Sequence, residues 1–168
     1  RIASFTQQEN IAMPFIGTFH GYCLRLLQRN APLMPLFPFS ILDEDDRYTL
    51  INNLLKHSIL YKRLSTSTIA HTISHMKNNK HNPQNTSHDN PLVTTPAFQD
   101  LYRAYEAEKQ ATKCLDFDDL LLEAHTLLST HQSVRDKHQQ AIKHILVDEY
   151  QDTNYVQHEL LKLMSLPS

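Results

Sequence analysis

The chain has 168 residues, 40% of them hydrophobic and 20% charged, with a formal net charge of −2. That length supports one globular domain or two small lobes. The near-neutral charge excludes a global basic field, so any nucleic-acid contact must come from a local patch.

Cys23 and Cys114 are the only cysteines and form no CxxC pattern. This excludes a disulfide framework or a cysteine zinc site and suits a reducing compartment. No apolar run reaches the ~20 residues of a membrane span, and no signal-peptide pattern opens the chain. A cytoplasmic protein without a membrane partner is expected. Gly17 and Gly21 are the only glycines, so these 168 residues contain no glycine-rich phosphate loop. The opening "RIASFTQQEN" does not begin with Met and reads like the tail of an earlier element, which predicts a fragment of a larger protein.

In chain order, "PFIGT" (14–18) is a short strand candidate, and Thr18 is placed to cap a helix through "FHGYCLRLLQRN". In that stretch Phe19, Tyr22, Cys23, Leu26 and Leu27 share one helical face. "APLMPLFPF" brings three prolines and predicts a hinge between lobes. Asp43 caps the next helix, Glu44, Asp45 and Asp46 complement its dipole, and Leu50, Ile51, Leu54 and Leu55 form its apolar face. A third helix carries Ile69, Ile73 and Met76, and "HNPQNTSHDNPLVTTP" predicts a loop. Phe98, Leu101, Tyr102 and Tyr105 mark a long helix; Leu120, Leu121, Ala124, Leu127 and Leu128 mark another. A shorter helix around 133–141 leads into "KHILVDEY", which has the pattern of a strand buried on both faces of a parallel sheet. A closing helix carries Val156, Leu160, Leu163 and Met164. One such strand cannot bury both faces alone, so its sheet partners are expected outside this chain.

The aliphatic run ends in Asp148 and Glu149. Catalytic groups of open parallel sheets gather at the carboxyl ends of strands. A carboxylate there can hold Mg²⁺ through water beside a nucleotide's phosphates, and a neighbouring one can deprotonate the attacking water. The same letters also fit a strand ending in a solvated acidic turn. His71 and His75 stand at the i, i+4 spacing that can chelate zinc, but no third ligand follows at a telling distance, so surface histidines are the expectation.

Longer strings separate the two readings of the acids. "ILVDEYQDTNYVQHELL" resembles the Walker B segment (motif II) of UvrD/Rep/PcrA-type superfamily 1 DNA helicases. "IGTFHGYCLRLL" resembles motif Ib of that family, "FSILDEDDRYTLINNLLK" the segment after it, and "CLDFDDLLLEAHTLL" the stretch ahead of motif II. The four blocks stand in the family's order across nearly the whole chain. The resemblance implies a mainly α fold: a helical insert, residues 34–113, between two parts of a RecA-like P-loop NTPase core, residues 1–33 and 114–168. The core parts would contribute one or two strands.

By the same resemblance, Asp148 would be the Mg²⁺-associated acid, Glu149 the general base for ATP hydrolysis, and Gln151 a link between nucleotide and DNA. Thr18 and His20 match positions that contact the single-strand backbone, chemistry that suits a helix N-terminus. Phe117 matches an aromatic on which a base stacks, although its phase with Leu120, Leu121 and Ala124 equally fits a core residue. Lys77 and Lys80 are candidate duplex-phosphate contacts, in a stretch that could equally be a solvated helix end. The implied protein is a monomeric 3′→5′ helicase acting on single-stranded DNA and junctions with ATP and Mg²⁺. Without a phosphate loop this chain alone is expected to be inactive. The alternative is a non-catalytic DNA-binding or docking module.

Overall fold

Helix starts follow side chains that can take over an unpaired backbone N–H. The computed structural model describes residues 15–79 and 90–165. Helix α1 (Phe19–Arg29) begins at Thr18, whose hydroxyl oxygen accepts from the Gly21 N–H at 3.2 Å. Asp43 caps α2 (Glu44–Lys56), with Glu44, Asp45 and Asp46 in the first turn. Ser65 caps α3 (Thr66–Asn78), and Thr95 caps α4 (Pro96–Ala111), where Pro96 occupies the first turn. Helix α5 (Phe117–Thr130) opens on a reciprocal box between Asp116 and Asp119, and α7 (Tyr155–Met164) on one between Asn154 and Gln157. Helix α6 (Gln132–Ala141) has no side-chain cap. A side-chain cap typically stabilises its helix by ~1 kcal/mol.

The helices bury two apolar clusters. Cys23, Leu26 and Leu27 of α1 pack with Leu120, Leu121, Ala124, Leu127 and Leu128 of α5 and with Val156, Leu160 and Met164 of α7. Ile51 and Leu55 of α2 pack with Ile69, Ile73 and Met76 of α3 and with Phe98, Leu101 and Tyr105 of α4. Strands β1 (Ser40–Ile41) and β2 (Cys114–Leu115) pair in parallel, with Ser40 opposite Cys114 and Ile41 opposite Leu115. They lie where the chain leaves the first cluster and where it returns. The proline-rich stretch before β1 is anchored by Met34, which is buried in the first cluster. The fold is mainly α with this one small parallel sheet among the described residues. Among them, no helix is long and apolar enough to cross a membrane.

Two predicted strands differ from the structure. Residues 15–18 of "PFIGT" are irregular, and residue 14 lies outside the described residues. The run 144–147 is irregular and joins no sheet, and Asp148 and Glu149 bend; Ile145 rests against the first cluster while Leu146 is 96% exposed. The physical reason is the one that makes two-faced strands conspicuous: without strands on both sides, half of the aliphatic run has nothing to bury against. Replacing Leu146 by Gln should therefore change folding stability by less than about 0.5 kcal/mol in urea denaturation.

Candidate nucleic-acid cleft and carboxylate segment

The DFDD stretch at the start of α5 joins the two clusters by charge. Asp116 is fully buried as the N-cap of α5, and Asp118 and Asp119 are nearly so. Each helix of the second cluster sends one cation to them. Lys77 of α3 lies 2.7 Å from Asp116 and 2.6 Å from Asp119. Lys109 of α4 lies 3.2 Å from Asp116 and also pairs with Asp119, and Glu106 approaches both ammonium groups at 2.9 and 3.0 Å. The Tyr105 hydroxyl donates to Asp116 at 2.7 Å, and its ring lies 4.8 Å from the Lys109 ammonium. Arg47 of α2 reaches Asp118 at 3.7 Å while donating to the Ala70 carbonyl and the Ser74 hydroxyl.

Burial alone would raise the Asp116 pKa; Lys77 and Lys109 overcome it and hold the carboxyl far below the usual range. Burial likewise opposes the charge on Lys77, but Asp116, Asp119 and Glu106 raise its pKa well above the ordinary lysine value. These are buried charges kept ionised by contact, as physical chemistry requires of ions taken out of water.

Phe117 is the one residue of DFDD that faces out. It is 38% exposed, and its ring meets the His20 ring edge-to-face with centroids 5.8 Å apart. Together with Thr18, Glu44, Arg47, Ser74 and Asp118 these two rings line a cleft of about 370 Å³. Three residues singled out in the sequence, Thr18, His20 and Phe117, thus meet in one place, at the adjoining N-termini of α1 and α5. The cleft offers aromatic faces, a hydroxyl at a helix N-terminus, and a polar floor. Arg47 Nε is buried there with no hydrogen-bond partner among the described residues.

The carboxylates Asp148 and Glu149 do not line this cleft. Both are exposed, and the contacts that shape them are local. Glu149 takes the left-handed backbone conformation (φ 49°, ψ 44°), which is uncommon for a residue other than glycine. Asp148 Oδ1 accepts from the Glu149 N–H at 3.0 Å, and the Gln151 side-chain amide donates to the Glu149 carboxylate. A single 3₁₀ turn, Tyr150–Asp152, then leads to the Asn154 cap of α7. Among the described residues neither Asp148 nor Glu149 is in an ion pair, so their oxygens are hard donors that fit Mg²⁺. Glu106, Asp116 and Asp119 also stand close enough to hold a metal, but two ammonium groups already fill that space.

Lys77 is not at the surface, contrary to the prediction of a duplex-phosphate contact. Its side chain is 2% exposed and its charge is committed to Asp116, Asp119 and Glu106. Lys80 lies outside the described residues, as does most of the predicted loop after it. His71 and His75 are exposed on α3, with no third metal-binding side chain grouped with them among the described residues. Sequence reasoning passed over Arg47, Ser74, Lys109 and Asp118. The signal was present: Arg47, Lys77 and Lys109 each continue an apolar i, i+4, i+8 stripe, where a cation demands a buried partner.

A family model described as the UvrD/REP helicase N-terminal domain matches residues 1–167. The ATP-dependent DNA helicase Rep of Salmonella typhimurium is 35% identical over 150 residues, 89% of this chain and 22% of that protein. Rep of Escherichia coli matches equally, and PcrA of Staphylococcus epidermidis is 30% identical over 159 residues, 94% of this chain and 22% of that protein. The chain thus spans about a fifth of the length of the curated relatives it matches. With motif order, helical architecture and a match across nearly every residue in agreement, the chain belongs to the UvrD/REP helicase N-terminal domain family.

Proposed function

We propose that this chain is part of an ATP-dependent 3′→5′ DNA helicase and that its cleft holds single-stranded DNA. The observation that carries the reading is the convergence of Thr18, His20 and Phe117 on one cleft. A base stacks on Phe117, while the Thr18 hydroxyl and the His20 imidazole donate to a neighbouring phosphate. Glu44 and Asp118 outnumber Arg47 on the cleft wall, so a phosphate is disfavoured deep inside and a neutral base favoured.

Asp148 and Glu149 serve the nucleotide. Asp148 would hold Mg²⁺, which would neutralise phosphate charge; Glu149 would take the proton of the attacking water, and Gln151 keeps Glu149 oriented by its amide. Bound ATP·Mg²⁺ supplies the phosphoryl group whose hydrolysis drives movement. Residues 1–33 and 114–168 act as parts of the ATPase core and 34–113 as a helical insert. The two apolar clusters support that division except at its start, where Met34, Leu36, Phe39 and Ile41 pack with the first cluster. The protein works as a cytoplasmic monomer on single strands and junctions.

Fluorescence anisotropy with labelled oligothymidylate, duplex and junction DNA tests this reading. The chain should bind single strands at low salt and lose affinity as salt rises, with a slope near −0.7 per phosphate neutralised. It should show no DNA-stimulated ATPase by itself, since no phosphate loop lies within these residues. Absence of single-strand binding at low salt removes the cleft assignment, and robust ATPase removes the account of an incomplete site.

A further inference from the structure

Asn154 follows the acidic segment directly and reaches beyond its own helix. Its Oδ1 accepts from the Gln157 N–H at 2.9 Å, which closes the cap of α7. Its Nδ2 donates to Asn78 Oδ1 at 2.9 Å, at the last residue of α3. Asn78 Nδ2 donates in turn to Asp118 Oδ1 at 3.0 Å. The direction of this chain is chemically determined. An ionised carboxylate only accepts, so Asn78 must turn its amino group to Asp118 and leave its oxygen for a donor. Asn154 supplies that donor because its own oxygen is committed to the cap.

The far end of the chain is the cleft. Asp118 lines it, holds the Ser74 hydroxyl at 2.6 Å, and is the immediate neighbour of Phe117. Three side chains from three elements therefore join the residue after Thr153 to the residue beside the aromatic platform, with the charged Asp118 strengthening the bond it receives. No other hydrogen bond described above connects the carboxylate segment to the cleft.

We propose that Asn78 is a positioning residue that couples the two sites. A strand seated on Phe117 steadies the first turn of α5, Asp118 steadies Asn78, and Asn78 steadies the Asn154 cap behind Asp148 and Glu149. By linkage, whatever settles the carboxylate segment favours the strand in return. The proposal rests on the cleft being a single-strand site.

Hydrogen exchange of the backbone amides at 150–157 tests it, measured on the 168-residue chain with and without saturating oligothymidylate. In the unmodified chain the oligonucleotide should slow exchange there roughly fivefold or more, the lower end of usual coupling strengths. Asn78→Ala should abolish that slowing while leaving oligonucleotide affinity nearly unchanged. Asn154→Ser should do the same with its helix intact, because serine retains the cap but has no amide to donate. It decides the matter if Asn78→Ala fails to fold. Slowing that persists in Asn154→Ser, or binding without slowing in the unmodified chain, overturns the coupling and leaves the strand site standing. Failure of the unmodified chain to bind the oligonucleotide overturns both.

Discussion

Replacing Lys77 by methionine will lower the free energy of unfolding by about 3–5 kcal/mol, the usual cost of removing one partner from a buried ion pair. The side chain is 2% exposed, and its loss leaves Asp116, Asp119 and Glu106 facing Lys109 alone. Methionine fills similar volume, so the loss reports charge rather than a cavity. Urea denaturation followed by circular dichroism measures it. Lys162→Met is the control: that lysine pairs with Glu159 on the surface, and its midpoint should not move. A Lys77→Met midpoint equal to the control's would mean that the ion cluster contributes nothing.

The pH dependence has a definite sign. Asp116 is held low in the folded chain, so its contribution is complete above about pH 4 and drains away as pH falls below that. Lys77 is held high, so its contribution is complete below about pH 10 and is lost as pH rises further. Glu123 runs the other way: burial raises it, with Asp119 adding to it, against the pull of the lysines. Its contribution is therefore largest at low pH and is lost as pH climbs through its raised value. Acid unfolding should accordingly set in only below about pH 4. The gap between the unmodified chain and Lys77→Met should narrow there as Asp116 takes up its proton.

Much of this architecture is legible in the sequence because helices declare themselves locally. Thr18 and Asp43 cap the helices they were expected to cap, and the apolar stripes of Ile51 and Leu55, Ile69 and Ile73, and Leu101 and Tyr105 face the core. What the sequence obscures depends on partners distant in the chain. The run ending at Asp148 has the composition of a central strand, yet composition cannot supply neighbouring strands, and Leu146 stands in solvent. Lys77 lies in a polar, Asn-rich stretch that suggests a surface; only its i+4 relation to Ile73 betrays that it points inward. The DFDD acids look like a solvated helix start until three cations from three other helices are brought to them.

Phe117→Ala will weaken single-strand binding by about 1–3 kcal/mol, roughly 5- to 150-fold in Kd, and barely change stability. Phase alone groups Phe117 with Leu120, Leu121 and Ala124, and a core phenylalanine cut to alanine costs about 3–5 kcal/mol of folding energy. Its place in the first turn of α5 sets it apart, because there its ring is exposed to the cleft and the His20 ring is its neighbour. The two roles separate cleanly when affinity and urea midpoint are measured on the same variants. Leu120→Ala should lose about 2–5 kcal/mol of stability, with binding unchanged in the molecules that remain folded. Phe117→Trp should keep or improve affinity, since a larger ring offers more stacking surface. If Phe117→Ala instead unfolds like Leu120→Ala while the folded fraction binds normally, then the ring is a core residue that happens to show an edge. The strand contact would then have to be carried by the Thr18–His20 end of the cleft alone.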